Sequence, residues 1–127
     1  MGTDEAARRV LIAEDQRGMR GLVHLLLDEQ DGIEVVAEAS TGQEVLERFV
    51  STQPDVVVLD LGMPVIDGEM VLRTLRATRP ETRIVVLSGQ ASAIIRPRLL
   101  DEGADAVVEK GVDHWEATLI TEVRGKG

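Results

Sequence analysis

The sequence predicts an α/β domain built on a doubly wound, five-stranded parallel sheet. Short apolar runs rich in Val, Ile and Leu recur along the chain, and they are continuous rather than alternating, as in strands buried on both faces. Between them lie segments with helical periodicity, long enough to be the right-handed crossovers that parallel strands require. The strands are expected near residues 8–13, 33–38, 55–60, 83–88 and 105–109.

The first three intervening segments have the apolar spacing of helices with one face in the core. The first helix is expected over about 17–30. The second begins at Thr41, and Glu44 three residues later completes a capping-box pattern. The third follows Asp67-Gly68 and ends before Pro80. The apolar positions that mark these helices are Met19, Leu22, Val23, Leu26, Val45, Leu46, Phe49, Met70, Val71, Leu72 and Leu75.

The last two helices have less regular signals. Residues 91–102 should be helical, but Pro97 falls in their middle, where proline destabilises a helix by about 3 kcal/mol. We therefore expect a helix that begins near Pro97, or a kink there. The last helix is expected to be capped by Asp113, with Glu116 at the matching offset. Its apolar stripe, expected in the core, consists of Trp115, Leu119 and Val123.

Composition restricts the class of protein. At 127 residues the chain is expected to be one domain, residues 1–127, with a core over about 8–124. It has no cysteine, which excludes disulfides and thiol chemistry. The lack of an apolar leader or spanning stretch favours a cytoplasmic protein without membrane contact. A net charge of −9 would repel phosphate backbones, so no direct nucleic-acid binding is expected.

Four of the expected strands run directly into a charged or hydroxyl side chain. Glu14 and Asp15 follow the first strand, Asp60 ends the third, Ser88 the fourth, and Lys110 follows the fifth. The carboxyl ends of parallel strands form the ligand-binding edge of open α/β sheets, so these groups should lie together. Carboxylates 4 Å apart repel by about 4 kcal/mol at an effective dielectric constant of about 20. A hard divalent cation would relieve that repulsion, and oxygen ligands suit Mg²⁺.

With these groups in place, the chain resembles the receiver domain of two-component response regulators over nearly its whole length. It is most similar to receivers attached to helix-turn-helix DNA-binding domains. The resemblance implies the flavodoxin-like receiver fold with strand order 2-1-3-4-5. The matching pieces are Glu14-Asp15, Asp60, Met63-Pro64, Asp67-Gly68, Ser88-Gly89, Gly103-Ala104-Asp105 and Lys110.

The resemblance also implies the chemistry. Asp60 would be the phosphoacceptor, taking a phosphoryl group from a histidine kinase or phosphotransfer protein in a Mg²⁺-dependent reaction. Ser88 would donate its hydroxyl to a phosphoryl oxygen, and Lys110 would pair first with the carboxylate and then with the phosphate. The implied metal ligands are Asp15 directly, Glu14 through water, Asp60, and the backbone carbonyl of Gly62.

Departures from the family pattern leave the output open. Val107 stands three residues before Lys110, where the family usually has Tyr or Phe, and Gly111 follows Lys110 where Pro is common. These 127 residues include no DNA-binding output domain, so both a stand-alone receiver and an excised receiver are left open. A homodimer is also left open. His24 and His114 have no carboxylate at relay or metal spacing and are expected on the solvated surface.

Two other functions are compatible with parts of the pattern. One is an interaction module that keeps the fold without phosphorylation. The other is an aspartyl-phosphate phosphatase of the haloacid-dehalogenase type, which requires a second Asp two residues after its nucleophile, where this chain has Gly62. The pattern therefore favours a signalling phosphoacceptor that is not an enzyme beyond self-catalysed phosphotransfer and autodephosphorylation.

Overall fold

A computed structural model describes residues 7–61, 68–89, 93 and 95–125 of the chain. Strands and helices alternate along them. In chain order they are β1 Arg8–Ala13, α1 Arg17–Asp28, β2 Ile33–Ala39, α2 Gly42–Thr52, β3 Val56–Asp60, α3 Gly68–Thr78, β4 Arg83–Ser88, α4 Ile95–Glu102, β5 Ala106–Glu109 and α5 Trp115–Arg124.

The five strands form one parallel sheet in the order β2-β1-β3-β4-β5, as expected from the resemblance. The predicted strand boundaries are correct to within one residue. β1 pairs with both β2 and β3, and its register with β2 shifts by one residue between Val10 and Leu11. Since all strands run the same way, Glu14, Asp60, Ser88 and Lys110 lie at one edge of the sheet.

Alternate residues of the central strands pack against two separate helix layers. In β3, Val57 and Leu59 belong to the cluster formed with α2, α3 and α4. Val56 and Val58 belong to the cluster formed with α1 and α5. All four side chains are fully buried, which explains why β3 reads as a continuous apolar run rather than an alternating one. The expectation that Phe49, Trp115, Leu119 and Val123 are core residues is confirmed.

Three details of the helices differ from the expectations. In α1 the buried positions are Val23 and Leu27, and Leu22 is 39% exposed because the face in contact with the sheet is rotated by about one residue. Met70 in α3 is likewise exposed, at 48%. The prediction that Asp113 caps α5 is wrong: the helix is preceded by His114 in a left-handed conformation (φ 64°), with no side-chain cap.

Two other helix signals are confirmed. The Thr41 hydroxyl accepts a hydrogen bond from the Glu44 amide (3.1 Å) and caps α2. Pro97 is the third residue of α4, so the helix does begin near it. Proline is tolerated there because the first-turn amides have no partner within the helix. Of the earlier part of that predicted helix, residues 91, 92 and 94 lie outside the described residues.

None of the helices found in the described ranges has both the length and the apolar character needed to cross a membrane.

Candidate functional site

The sheet edge brings three carboxylates close together. Glu14 lies directly after β1, Asp15 follows it, and Asp60 is the last residue of β3. One oxygen from each of these carboxylates can be chosen so that all three oxygens lie within 4.8 Å of one another. Glu14 and Asp60 are buried, and Asp15 is half-buried. The acids that the sequence singled out therefore form one cluster.

Lys110 supplies the compensating charge. Its Nζ lies 3.3 Å from Asp60 Oδ1 and 3.9 Å from Glu14 Oε1. The Lys110 amide donates a 2.8 Å hydrogen bond to the carbonyl of Ser88, which ties the end of β5 to the end of β4. Only 19% of the Lys110 side chain is exposed, so its attraction for the carboxylates is weakly screened by solvent.

Glu14 is the most perturbed acid of the cluster. Burial, hydrogen bonding with Asp60 and the negative charge of Asp60 raise the pKa of Glu14 to about 8. Its Oε2 accepts a 3.2 Å hydrogen bond from the Gln16 amide. Its Oε1 is buried and accepts no hydrogen bond from the described residues. Glu14 therefore keeps its proton at neutral pH when no cation other than Lys110 is near.

The donor set fits a divalent cation. Carboxylate oxygens are the ligands that Mg²⁺ prefers, and Glu14 Oε1 is a buried acceptor left without a donor. The half-buried Asp15 leaves room for retained water, as Mg²⁺ requires. The fourth expected ligand, Gly62, lies outside the described residues, as do Met63, Pro64 and Asp67.

The cluster opens into a cleft of about 450 Å³. Ser88, at the end of β4, is 8% exposed and lines this cleft with Asp60 and Lys110. Glu69 from α3 and Arg98 from α4 also line it, and neither was predicted as a site residue. Arg98 lies more than one helical turn from any matching piece, and Glu69 directly follows Asp67-Gly68 but belongs to no pattern of its own. Their meeting at the cleft depends on how α3 and α4 pack, which no local signal specifies.

The β1–α1 loop is held by a charged network. Arg20 Nη1 donates a 3.0 Å hydrogen bond to the carbonyl of Glu14, and Arg20 Nε donates to Glu38 Oε1 at 3.2 Å. His24 Nδ1 contacts the other oxygen of Glu38. The expectation that His24 has no carboxylate partner is therefore wrong, because β2 brings Glu38 beside α1. His114 is exposed, as expected.

Val107 is buried at 5% exposure in the middle of β5. Its carbonyl accepts a 2.6 Å hydrogen bond from Arg96 Nη1 of α4. A β-branched valine has a stiff side chain and cannot swing outward as a large aromatic ring can. In this chain α4 contacts β5 through the Arg96 hydrogen bond to the strand backbone and through apolar packing, since Leu99 and Val107 belong to the same core cluster.

The raised pKa of Glu14 predicts a pH-dependent stability for the metal-free protein. Folded Glu14 keeps its proton to about pH 8, whereas the unfolded residue releases it near the ordinary glutamate pKa of 4.5. The folded state then binds more protons than the unfolded state between these values, so stability falls as pH rises, by at most about 1.4 kcal/mol per pH unit. Denaturation in EDTA from pH 5 to 8.5 measures this slope. Glu14→Gln should flatten it, and an equal slope in the variant would contradict the assignment.

Comparison with known proteins finds similar sequences over nearly the whole chain. The family model described as the response regulator receiver domain matches residues 10–123. A transcriptional regulator of Pseudomonas aeruginosa is 39% identical over 114 residues, which are 90% of this chain and 55% of that protein. A protein-glutamate methylesterase/protein-glutamine glutaminase of Trichodesmium erythraeum is 35% identical over 91% of this chain and 36% of its own length.

Solved structures agree with the sequence matches. The signal receiver domain of the response regulator NarL from Mycobacterium tuberculosis superposes with a TM-score of 0.84 at 27% identity, covering 96% of this chain and 100% of that one. The chain thus spans 55% and 36% of the lengths of the two relatives described above, but the whole of a solved domain.

Proposed function

Because this chain belongs to the response regulator receiver domain family, we propose that Asp60 accepts a phosphoryl group from a phosphohistidine of a histidine kinase or phosphotransfer protein. The observation that carries the proposal is the position of Asp60. Its carboxylate ends a buried strand, lies 3.3 Å from the Lys110 ammonium, and lines a cleft that is open to a donor.

In the proposed reaction an Asp60 carboxylate oxygen attacks the phosphorus. The bond between phosphorus and the donor imidazole nitrogen breaks, and its electron pair stays on that nitrogen, which takes up a proton. The phosphorylated side chain carries about −1.5 to −2 charge. Lys110 and the Ser88 hydroxyl lie in the same cleft and would bind phosphoryl oxygens. A Mg²⁺ ion held by Glu14, Asp15 and Asp60 would further stabilise the negative charge on those oxygens.

A phosphodonor assay separates the proposal from its alternatives. The protein is incubated with acetyl phosphate and Mg²⁺, and the intact mass and released phosphate are followed. One phosphoryl group per chain is expected, since the acyl phosphate is a covalent product that stays on Asp60. Steady release of phosphate without accumulation of the phosphorylated protein would indicate a phosphatase. The absence of both labelling and release would indicate an interaction module that does not use phosphorylation.

We propose regulation of transcription as the output, through a DNA-binding module outside these residues. The similarity to a transcriptional regulator over 90% of the chain supports it. The net charge of −9 supports binding of DNA by that module rather than by this domain, because phosphate backbones would be repelled here. The methylesterase relative shows that similar receivers serve other outputs. Operator binding by the longer protein, strengthened by phosphorylation and absent in this domain alone, is the expected result.

Mg²⁺ should stabilise the fold by mass action. At one hundred times its dissociation constant, a ligand bound only by the folded state adds about 2.7 kcal/mol. Asp15→Asn should remove most of this gain, while stabilising the metal-free protein by reducing carboxylate repulsion. Asp28→Asn, an exposed acid on α1, is the matched control and should respond to Mg²⁺ like the wild type. Equal shifts of melting temperature in all three proteins would exclude a cation at this cluster.

A further inference from the structure

The candidate cleft contains a cation that the proposed chemistry does not yet use. Of the described residues that line it, Asp15, Asp60 and Glu69 are acidic, and Lys110 and Arg98 are basic. Lys110 is already paired with Asp60 and lies close to Glu14. Before a metal ion or a donor binds, the described part of the cleft is therefore negative, and a phosphoryl donor is itself an anion.

Arg98 is placed to offset that charge at the cleft mouth. It lies on α4, and its Nη2 is 2.8 Å from Glu69 Oε1 on α3. The Arg98 side chain is 66% exposed, whereas that of Glu69 is 25% exposed. A guanidinium has five N–H donors in a planar fork, so one contact with Glu69 leaves donors that can meet phosphoryl oxygens.

Glu69 interacts with Glu102 as well as with Arg98. A hydrogen bond to the carboxyl of Glu102, together with burial and the charge of Glu102, raises the pKa of Glu69. Glu102 is in turn paired with Arg73, at 2.6 Å. Two carboxyls and two arginines thus form a cluster between α3 and α4, which we call the α3–α4 ion cluster (Arg73, Glu69, Glu102 and Arg98). Of its members, only Glu69 and Arg98 line the cleft as described.

We infer that Arg98 is a donor-binding residue of the phosphoryl site, held by Glu69 while the cleft is empty and binding the phosphoryl group of an incoming donor. This inference rests on the proposed function of Asp60. The pair sets the affinity of the cleft for anionic donors: Arg98 attracts them, and Glu69 competes for Arg98. The transfer step itself needs no new group, because the attacking oxygen, the leaving group and the proton are those given above.

The test measures the initial rate of phosphorylation against acetyl phosphate concentration at saturating Mg²⁺. Arg98→Gln should raise the half-saturating concentration about three- to fivefold, the range expected for one exposed charge, and leave the maximal rate nearly unchanged. Arg98→Lys should restore part of the affinity, because it keeps the charge and loses the fork. Glu69→Gln should lower the half-saturating concentration, because Arg98 is released to the donor.

Arg73→Gln is the matched control. Arg73 belongs to the same α3–α4 ion cluster and is 52% exposed, so its loss changes net charge and the α3–α4 contact as the loss of Arg98 does. It does not line the cleft as described and should leave the half-saturating concentration unchanged. The wild-type advantage over Arg98→Gln should also shrink with added salt, since the exposed interaction is screened.

Each outcome has one interpretation. Absence of labelling in the wild type would refute the proposed function of Asp60. Normal labelling with the same concentration dependence in wild type, Arg98→Gln and Arg73→Gln would overturn the inference about Arg98 alone. Equal losses in Arg98→Gln and Arg73→Gln would also overturn it, because the effect would then come from the packing of α3 and α4 or from net charge.

Discussion

Replacing Asp60 with Asn is expected to abolish phosphoryl labelling by acetyl phosphate. The amide is nearly the same size as the carboxylate and fits the same buried position, but it lacks the anionic oxygen that attacks phosphorus. No other described acid has the same setting at the end of a buried strand with an ammonium 3.3 Å away. The readout is the intact mass after incubation with donor and Mg²⁺.

The stability of the variant separates lost chemistry from lost folding. Asp60→Asn removes one negative charge from a cluster of three carboxylates, so the metal-free variant should be at least as stable as the wild type. The wild-type adduct should also be cleaved by hydroxylamine, which attacks acyl phosphates and spares phosphoserine. Persistent labelling of Asp60→Asn, or a hydroxylamine-resistant phosphoryl group mapped to Ser88, would contradict the assignment.

Replacing Arg76 with Ala is expected to cause a large loss of stability. Arg76 lies on α3, and its guanidinium donates to the carbonyls of Gly103, Pro80 and Thr82 at 2.7–3.0 Å. It also pairs with Asp105 Oδ2 at 2.6 Å. The alanine variant would leave these acceptors without their donor, and a loss of about 2–4 kcal/mol in the free energy of unfolding follows. Urea denaturation with an unchanged m value measures it.

Arg73→Ala is the control for Arg76→Ala because it lies one turn away on the same helix. Arg73 makes one ion pair with Glu102 and is half exposed, so its loss should change stability by less than about 1 kcal/mol. Comparable losses in the two variants would mean that the Arg76 contacts are not the cause. The position of Gly103 agrees with tight packing there: its φ is +126°, and an added Cβ would lie 2.9 Å from Arg76 Cβ.

The elements and most of the candidate site could be predicted from the sequence because their signals are local. Val56–Asp60 has the pattern of a strand that ends in a carboxylate, because a buried apolar strand tolerates a charged side chain only at its end. Glu14, Ser88 and Lys110 follow the same rule at their own strands. Once the strands are parallel, topology alone brings their carboxyl ends together, which is why these residues could be placed without knowing any contact.

Helix faces and caps were predicted less well. An apolar pattern fixes the core side of a helix only to within about one residue. In α1 the buried positions are Val23 and Leu27, whereas Leu22 is 39% exposed. Asp113 has the composition of a cap, but the β5–α5 turn puts His114 in the left-handed region just before the helix. The start of α5 is therefore set by the path of the β5–α5 turn and not by the capping propensity of Asp113.

By itself, then, the sequence determined the α/β class, the strand positions and the residues that gather at the sheet edge. The tertiary structure decided the pairs between separate helices and strands: Arg98 with Glu69, Arg76 with Gly103, and His24 with Glu38. The physical reason is that a strand has one direction and one end, which sequence position specifies. A polar contact between residues 14 to 29 positions apart depends instead on how two packed elements rotate and approach each other, and no local pattern encodes that geometry.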